Sequence, residues 1–211
     1  TAVFQFTGGD DITIRGFGIT GAIYGVVLDQ VDSDRVTITG NEIFGSTSAG
    51  VYFHSSNSNG FGDSFLVSSN DIWGHPTGVS AYNSRVTEQV TITGNRVYAN
   101  RDTGISAAHS VIVADNTVFG SQTGVSVRNG AVARGNIVFD NTTGIEGYAS
   151  VVDANRAYRN TTGIAAPART VVTRNTAYSN SVGMQVGAAG YNEGGVNARN
   201  NLIYANTNNG V

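Results

Sequence analysis

Apolar and polar residues alternate over short β-branched runs such as Val36-Thr37-Ile38 and Val90-Thr91-Ile92, with Val111-Ile112-Val113 as a fully apolar variant. A period of two is the signature of a strand with one buried face. After each run come an Asn, any residue, an aliphatic residue or Ala, and an aromatic. A short polar stretch then leads to a Gly followed by an apolar residue. Clear copies run over 95–105, 116–125, 136–145, 155–164 and 175–184, with divergent ones at 41–51, 70–79 and 201–211. The density of Gly and of β-branched residues rules out a helical reading of the same segments.

The Gly of the pattern stands at 25, 50, 78, 104, 124, 144, 163, 183 and 210, with spacings of 25, 28, 26, 20, 20, 19, 20 and 27 residues. Twenty residues is therefore the unit, and each unit holds three short strands. The first opens at the Gly, the second is the V-x-I run, and the third is the aliphatic-aromatic pair. Three-stranded coils that stack on one another about 4.8 Å apart form a parallel β-helix. The prediction is an all-β solenoid of about nine coils, a rod of roughly 40 Å at that rise, in a single domain over 1–211. Alternation sends Val26, Leu28, Val51, Phe53, Val79, Ala81, Ile105, Ala107, Val125 and Val127 inward from the first strand. From the second and third it sends inward residues such as Ile38, Ile92, Val113, Ile43, Val97 and Ile203. Later coils narrow to Ala131, Ala133, Ala157, Ala166 and Ala177.

Two columns stand out once the coils are aligned. Asn41, Asn70, Asn95, Asn116, Asn136, Asn155, Asn175 and Asn201 occupy the turn between the second and third strands, where a residue tolerant of the left-handed region is needed. Stacked in register, their amides can hydrogen-bond along the rod as a ladder. Phe44, Trp73, Tyr98, Phe119, Phe139, Tyr158, Tyr178 and Tyr204 follow the third-strand aliphatic. Strict alternation turns them outward as a stacked stripe, which either braces the rod or offers a surface for self-association.

Composition narrows the partners. The chain has 28 Gly, no Cys, 13% charged residues and a net charge of −3, and all 12 of its basic residues are Arg. Such a balance lacks the basic footprint of a nucleic-acid binder, and absent Cys rules out disulfides and thiolate metal sites. No apolar run reaches the ~20 residues needed to span a bilayer. The chain begins at Thr1 and stops at Gly210-Val211, where earlier repeats continue into another strand, and it reads as a segment of a longer protein.

The N-x-V-x-x-N-x-x-x-G-I repeats resemble those of right-handed parallel β-helix proteins, among them pectate lyases, alginate epimerases and large secreted bacterial proteins. The resemblance covers residues 12–211 and implies an extracellular or cell-surface location. It speaks to fold more than to function, because one fold hosts many chemistries.

Longer loops at 29–35, 54–64, 82–89 and 187–194 break the period, and long loops on a rigid scaffold are where function is usually placed. They flank the outward face of the first strands, predicted to carry one column of Val27, Tyr52, Ser80, Ser106, Ser126, Glu146, Ala165 and Gln185. A second column reads Asp29, His54, Tyr82, Ala108, Arg128, Tyr148, Pro167 and Gly187. Tyr52, His54, Tyr82, Arg128, Glu146 and Tyr148 are the candidate contacts for an extended polysaccharide. Asp29, Asp32 and Asp34 form an acidic loop with some capacity for calcium, although no cofactor is required.

Catalytic signatures are sparse. The resembling uronate lyases imply clustered carboxylates for calcium and an Arg base on this face, yet Asp29 and Glu146 stand five coils apart. The Asp-Pro-His of the epimerases has no counterpart, since Gly74 precedes His75-Pro76, which reads as a turn His. The carboxylate series of polygalacturonase-like hydrolases cannot be assembled from Asp10-Asp11 alone. His54 and His109 each read as isolated surface histidines. The expectation is a non-catalytic scaffold or stalk that docks polysaccharide, with a lyase or C5-epimerase as the alternative.

Overall fold

A computed structural model describes residues 1–29, 33–55, 64–84, 89–187 and 194–208. Its strands sort into three sheets of nine, each joining one strand per coil in chain order. The first sheet runs from Ala2–Gln5 to Val182–Val186, the second from Thr13–Arg15 to Asn197–Arg199, and the third from Gly18–Thr20 to Leu202–Tyr204. All recorded pairings are parallel. The nine-coil count is reached with Ala2–Gln5, a strand that no Gly marks, whereas Gly210 lies outside the described residues.

The alternation that predicts strands also predicts their buried face. Val26, Val51, Val79, Ile105, Val125, Ile145 and Ile164 are each at most 1% exposed, as are Ile38, Ile92, Val113, Ile43, Ile72 and Val97. Phe53 and Ile203 are only partly buried, though both pack against the core, Phe53 with its ring 4.9 Å from that of Phe65. The Ala-rich later coils stay closed: Ala131, Ala133, Ala157, Ala166 and Ala177 are fully buried. Val27, placed in the outward column, is 9% exposed, lying between Gln5 and Tyr52 on the neighbouring rungs.

Each turn is more specific than its Asn alone would require. The left-handed residue between the second and third strands is the one before the Asn, and its φ lies between 54° and 64° in every copy: Gly40, Ser69, Gly94, Asp115, Gly135, Ala154, Arg174 and Asn200. Ala154 and Arg174 accept this conformation at about 1–2 kcal/mol each. The bend frees the following Asn to turn its side chain inward. There Asn95 donates from N and from Nδ2 to Asn116 Oδ1, both at 3.0 Å, and from Nδ2 to Val67 O at 2.9 Å. The same bonds repeat from Asn41 to Asn201.

A second ladder lies five residues further along each coil. Asn141, Asn160, Asn180 and Asn206 bond in series, again just after a left-handed residue such as Asp140 or Arg159. It explains the Gly column by proximity. A Cβ on Gly144 would meet Gly163 O at 2.5 Å and Asn160 Nδ2 at 2.9 Å. Three rungs are not Asn: Ser46, His75 and Ser121. His75, 1% exposed, accepts the Ser46 N–H at Nδ1 (3.0 Å) and donates from Nε2 to Ile43 O (3.1 Å). A carbonyl only accepts and an amide N–H only donates, so this fixes a neutral imidazole. The turn His of the sequence reading is thus a ladder rung in disguise. At Ser46 and Ser121 the side-chain ladder is interrupted, for the buried Oγ of each finds no partner.

Candidate functional site: the outer face of the first sheet

The registers put the predicted outward columns together. Val27, Tyr52, Ser80, Ser106, Ser126, Glu146, Ala165 and Gln185 align rung by rung. Beside them run Asp29, His54, Tyr82, Ala108, Arg128 and Tyr148. That second column ends at Tyr148, two rungs short of the predicted Pro167 and Gly187, and Gly187 lies past the end of the sheet's last strand, Val182–Val186. A bulge between Glu146 and Tyr148 sets Tyr148 against Ala168 rather than Pro167, which fits a residue without an N–H to give the ladder. Asp29, His54 and Tyr82, which open the predicted loops, are strand residues of Tyr24–Asp29, Ala49–Ser55 and Thr77–Asn83. The bodies of these loops at 30–32, 56–63 and 85–88, and 188–193 in the fourth, lie outside the described residues.

Two clusters occupy the face. In the first, five rings form a chain across four coils. Tyr24 and Tyr52 lie 5.0 Å apart at 37°, Tyr52 and His54 6.2 Å at 45°, His54 and Tyr82 5.1 Å at 54°, and Tyr82 and His109 4.7 Å at 75°. Neither His54 nor His109 is the isolated histidine expected. His54 Nδ1 donates to Asp29 Oδ1 at 3.1 Å, which leaves Nε2 as an acceptor in the neutral ring. His109 sits edge-on to Tyr82, at a backbone φ of 64°. Burial, aided by the charge of Asp29 and by Tyr24, pushes the Tyr52 phenol above its ordinary pKa. Tyr52 therefore stays a neutral hydrogen-bonding group.

On the coil after His109, Arg128 bridges Ser126 of its own strand and Glu146 of the next. Its Nη2 donates to Glu146 Oε2 at 3.0 Å, and its Nε donates to Ser126 Oγ, 3.3 Å away. Ser126 in turn donates to Glu146 Oε2 at 3.3 Å. Tyr148 closes this end beside Arg128. Ala108 and Ser106 are the short side chains between the two clusters.

The acidic loop residues enter separate partnerships. Asp29 serves His54, while Asp34 Oδ2 lies 3.8 Å from Arg35 and its N–H donates to Asp10. Asp32 lies outside the described residues. Among the described residues no three of His, Asp and Glu converge to hold a metal ion, and no helix is long and apolar enough to cross a membrane.

On the third sheet the aromatic stripe faces outward, half-buried except for Tyr204. Its rings stack face to face from Phe44 to Tyr204, 4.8–5.6 Å apart and 6–15° from parallel. The Arg96 guanidinium lies 4.1 Å over Tyr98, and Arg159 lies 5.1 Å from Tyr158 while paired to Asp140.

Three sheets, two ladders and this coil period define a right-handed parallel β-helix. The model of the right-handed β-helix region family matches residues 2–151 and again 77–211, and the chain belongs to that family. Among solved structures it is similar to one described as the complex of XylC with xylose, with a TM-score of 0.63 and 13% identity. That match covers 83% of this chain and 36% of the XylC chain, so this chain spans about a third of that protein. At such identity the likeness concerns the fold. No curated protein matches the chain.

Proposed function

We propose that this chain is a non-catalytic β-helix scaffold of an extracellular or cell-surface protein, and that it docks polysaccharide along the outer face of its first sheet. One observation carries the reading. The rings of Tyr24, Tyr52, His54, Tyr82 and His109 are tilted 37–75° to one another, so their faces are not consumed by mutual stacking. Sugar C–H faces pack on such ring faces, and the polar atoms of Asp29, His54, Arg128 and Glu146 suit sugar hydroxyls. From Tyr24 to Tyr148 the face spans five strand steps, about 24 Å, in line with the rod axis. A glycan chain laid along it meets a rigid surface at little ordering cost to the protein. The xylose held by XylC is consistent with a carbohydrate partner. Affinity electrophoresis through gels containing polysaccharide tests the reading. The chain should be retarded by at least one glycan, and Tyr52→Ala and Tyr82→Ala should each weaken the retardation about tenfold. Absence of retardation in every gel removes the proposal.

One observation favours catalysis as a second reading. His54, oriented by Asp29 and placed between Tyr52 and Tyr82, has the layout of a general base with a neighbouring acid, as a lyase or epimerase requires. Product analysis on polysaccharides that the chain binds decides this. Turnover that is lost in His54→Ala while retardation persists would establish an enzyme.

A further inference from the structure

The charges along this face bear on which glycans it admits. In the two outward columns of the first sheet, the described residues with fixed charge are Asp29, Arg128 and Glu146. The single cation is already engaged, because Glu146 holds Arg128 at 3.0 Å and leaves no net charge on that pair. Asp29, at the other end, is 54% exposed and has His54 rather than an Arg as its partner. The face as a whole is therefore neutral to negative.

An acidic polysaccharide brings a carboxylate on each successive sugar. Laid along these rungs, it would meet Asp29 with like charge and would find Arg128 spent. A neutral glycan pays neither cost and still finds the ring faces and the Arg128 and Glu146 hydrogen-bonding atoms. We infer that the first-sheet face selects neutral polysaccharides over polyuronates, and that Asp29 and Glu146 are the residues that set this selection, Glu146 by masking Arg128. The inference rests on the glycan-docking reading above.

The double variant Asp29→Asn/Glu146→Gln keeps the shape and hydrogen-bonding reach of both residues while removing two negative charges and releasing Arg128. Wild type, this variant and Tyr52→Ala are run through gels of xylan and mannan, and of polygalacturonate and alginate, at low and high salt. Far-UV circular dichroism and thermal melts check that each variant is folded. Wild type should be retarded by a neutral gel independently of salt and pass freely through the polyuronates. The double variant should gain at least severalfold retardation in polyuronates that fades at high salt, as exposed charge interactions do. Wild-type retardation by polyuronate that Tyr52→Ala abolishes would keep the docking face and overturn the selection. A double variant that gains nothing on polyuronates would likewise overturn it. Retardation in neither series would take down the docking reading itself, and the inference with it.

Discussion

The molecule carries two aromatic rows on two of its three sheets, and they are packed in opposite ways. On the third sheet, eight rings lie within 15° of parallel with their neighbours, so each ring spends its faces on the rings above and below. Only edges remain for the surface. On the first sheet the rings tilt by 37–75° and alternate with imidazoles, Ser and charged groups. The difference begins in side-chain uniformity. A column that repeats one shape at every rung stacks, whereas a column of unlike shapes cannot. Uniform columns, the Asn ladders and the ring stack alike, therefore join rung to rung along the rod, and the irregular columns, with ring faces left open, are where the proposed docking lies.

Cutting the support shared by both rows should have the largest effect. Asn136→Leu leaves the donors of Asn116 and the carbonyl of Val113 without their buried partner. At ~1–3 kcal/mol for each orphaned group the loss should be about 4 kcal/mol, read by denaturant unfolding. Binding should weaken with it as the rungs lose register. If stability fell by less than about 1 kcal/mol, the ladder would not be the common support.

Separating the rows is the sharper test. Phe119→Ala removes a half-buried ring stacked on Tyr98 and Phe139 and should cost about 2–3 kcal/mol, somewhat under a fully buried Phe. Glycan retardation should be unchanged, and sedimentation should show the same association state as wild type. Tyr52→Ala should do the reverse, costing at most about 1 kcal/mol while retardation falls. Equal effects of the two variants on both readouts would erase the distinction.

A gain is expected at Ser121, where the second ladder is broken beside a shallow concavity lined by Asn100, Gln122 and Asn141. Ser121→Asn restores the residue found at the rungs on both sides and should add about 1 kcal/mol, seen as a higher melting temperature. No gain would mean that the gap is satisfied in another way.

Replacing His75 should matter least at neutral pH and most in acid. Burial lowers its pKa below the ordinary 6.5, so the neutral imidazole is the form that the fold requires. Its stabilising contribution is complete above pH 6.5 and is lost as pH falls through the lowered folded-state value. His75→Asn, which can accept the Ser46 N–H through Oδ1 as other rungs do, should remove that part of the acid loss. Stability-pH curves that superimpose for wild type and variant would contradict the neutral rung.

Much of this was legible in the chain because a solenoid repeats its evidence. Ile92, Val113 and Asn136 recur with the same neighbours at a fixed period, so pattern alone marks them as core or ladder. The second ladder was also written there, in the second Asn of N-x-V-x-x-N, but it reads as a generic polar turn because Ser46, His75 and Ser121 interrupt it. Pro167 was misplaced because a bulge changes the count within a single strand.

What the sequence determined by itself is the coil: which residues point inward, how many rungs stack, and which columns are uniform. These follow from short-range alternation and from repetition. The tertiary structure decided what the irregular columns do. Residues 25 positions apart, such as Asp29 and His54, become partners 3.1 Å apart only after the coils are stacked in register. Ring tilt likewise depends on which unlike neighbour each side chain meets on the next rung. No period in the chain encodes those meetings, because they belong to single pairs, and the candidate binding face is made of such pairs.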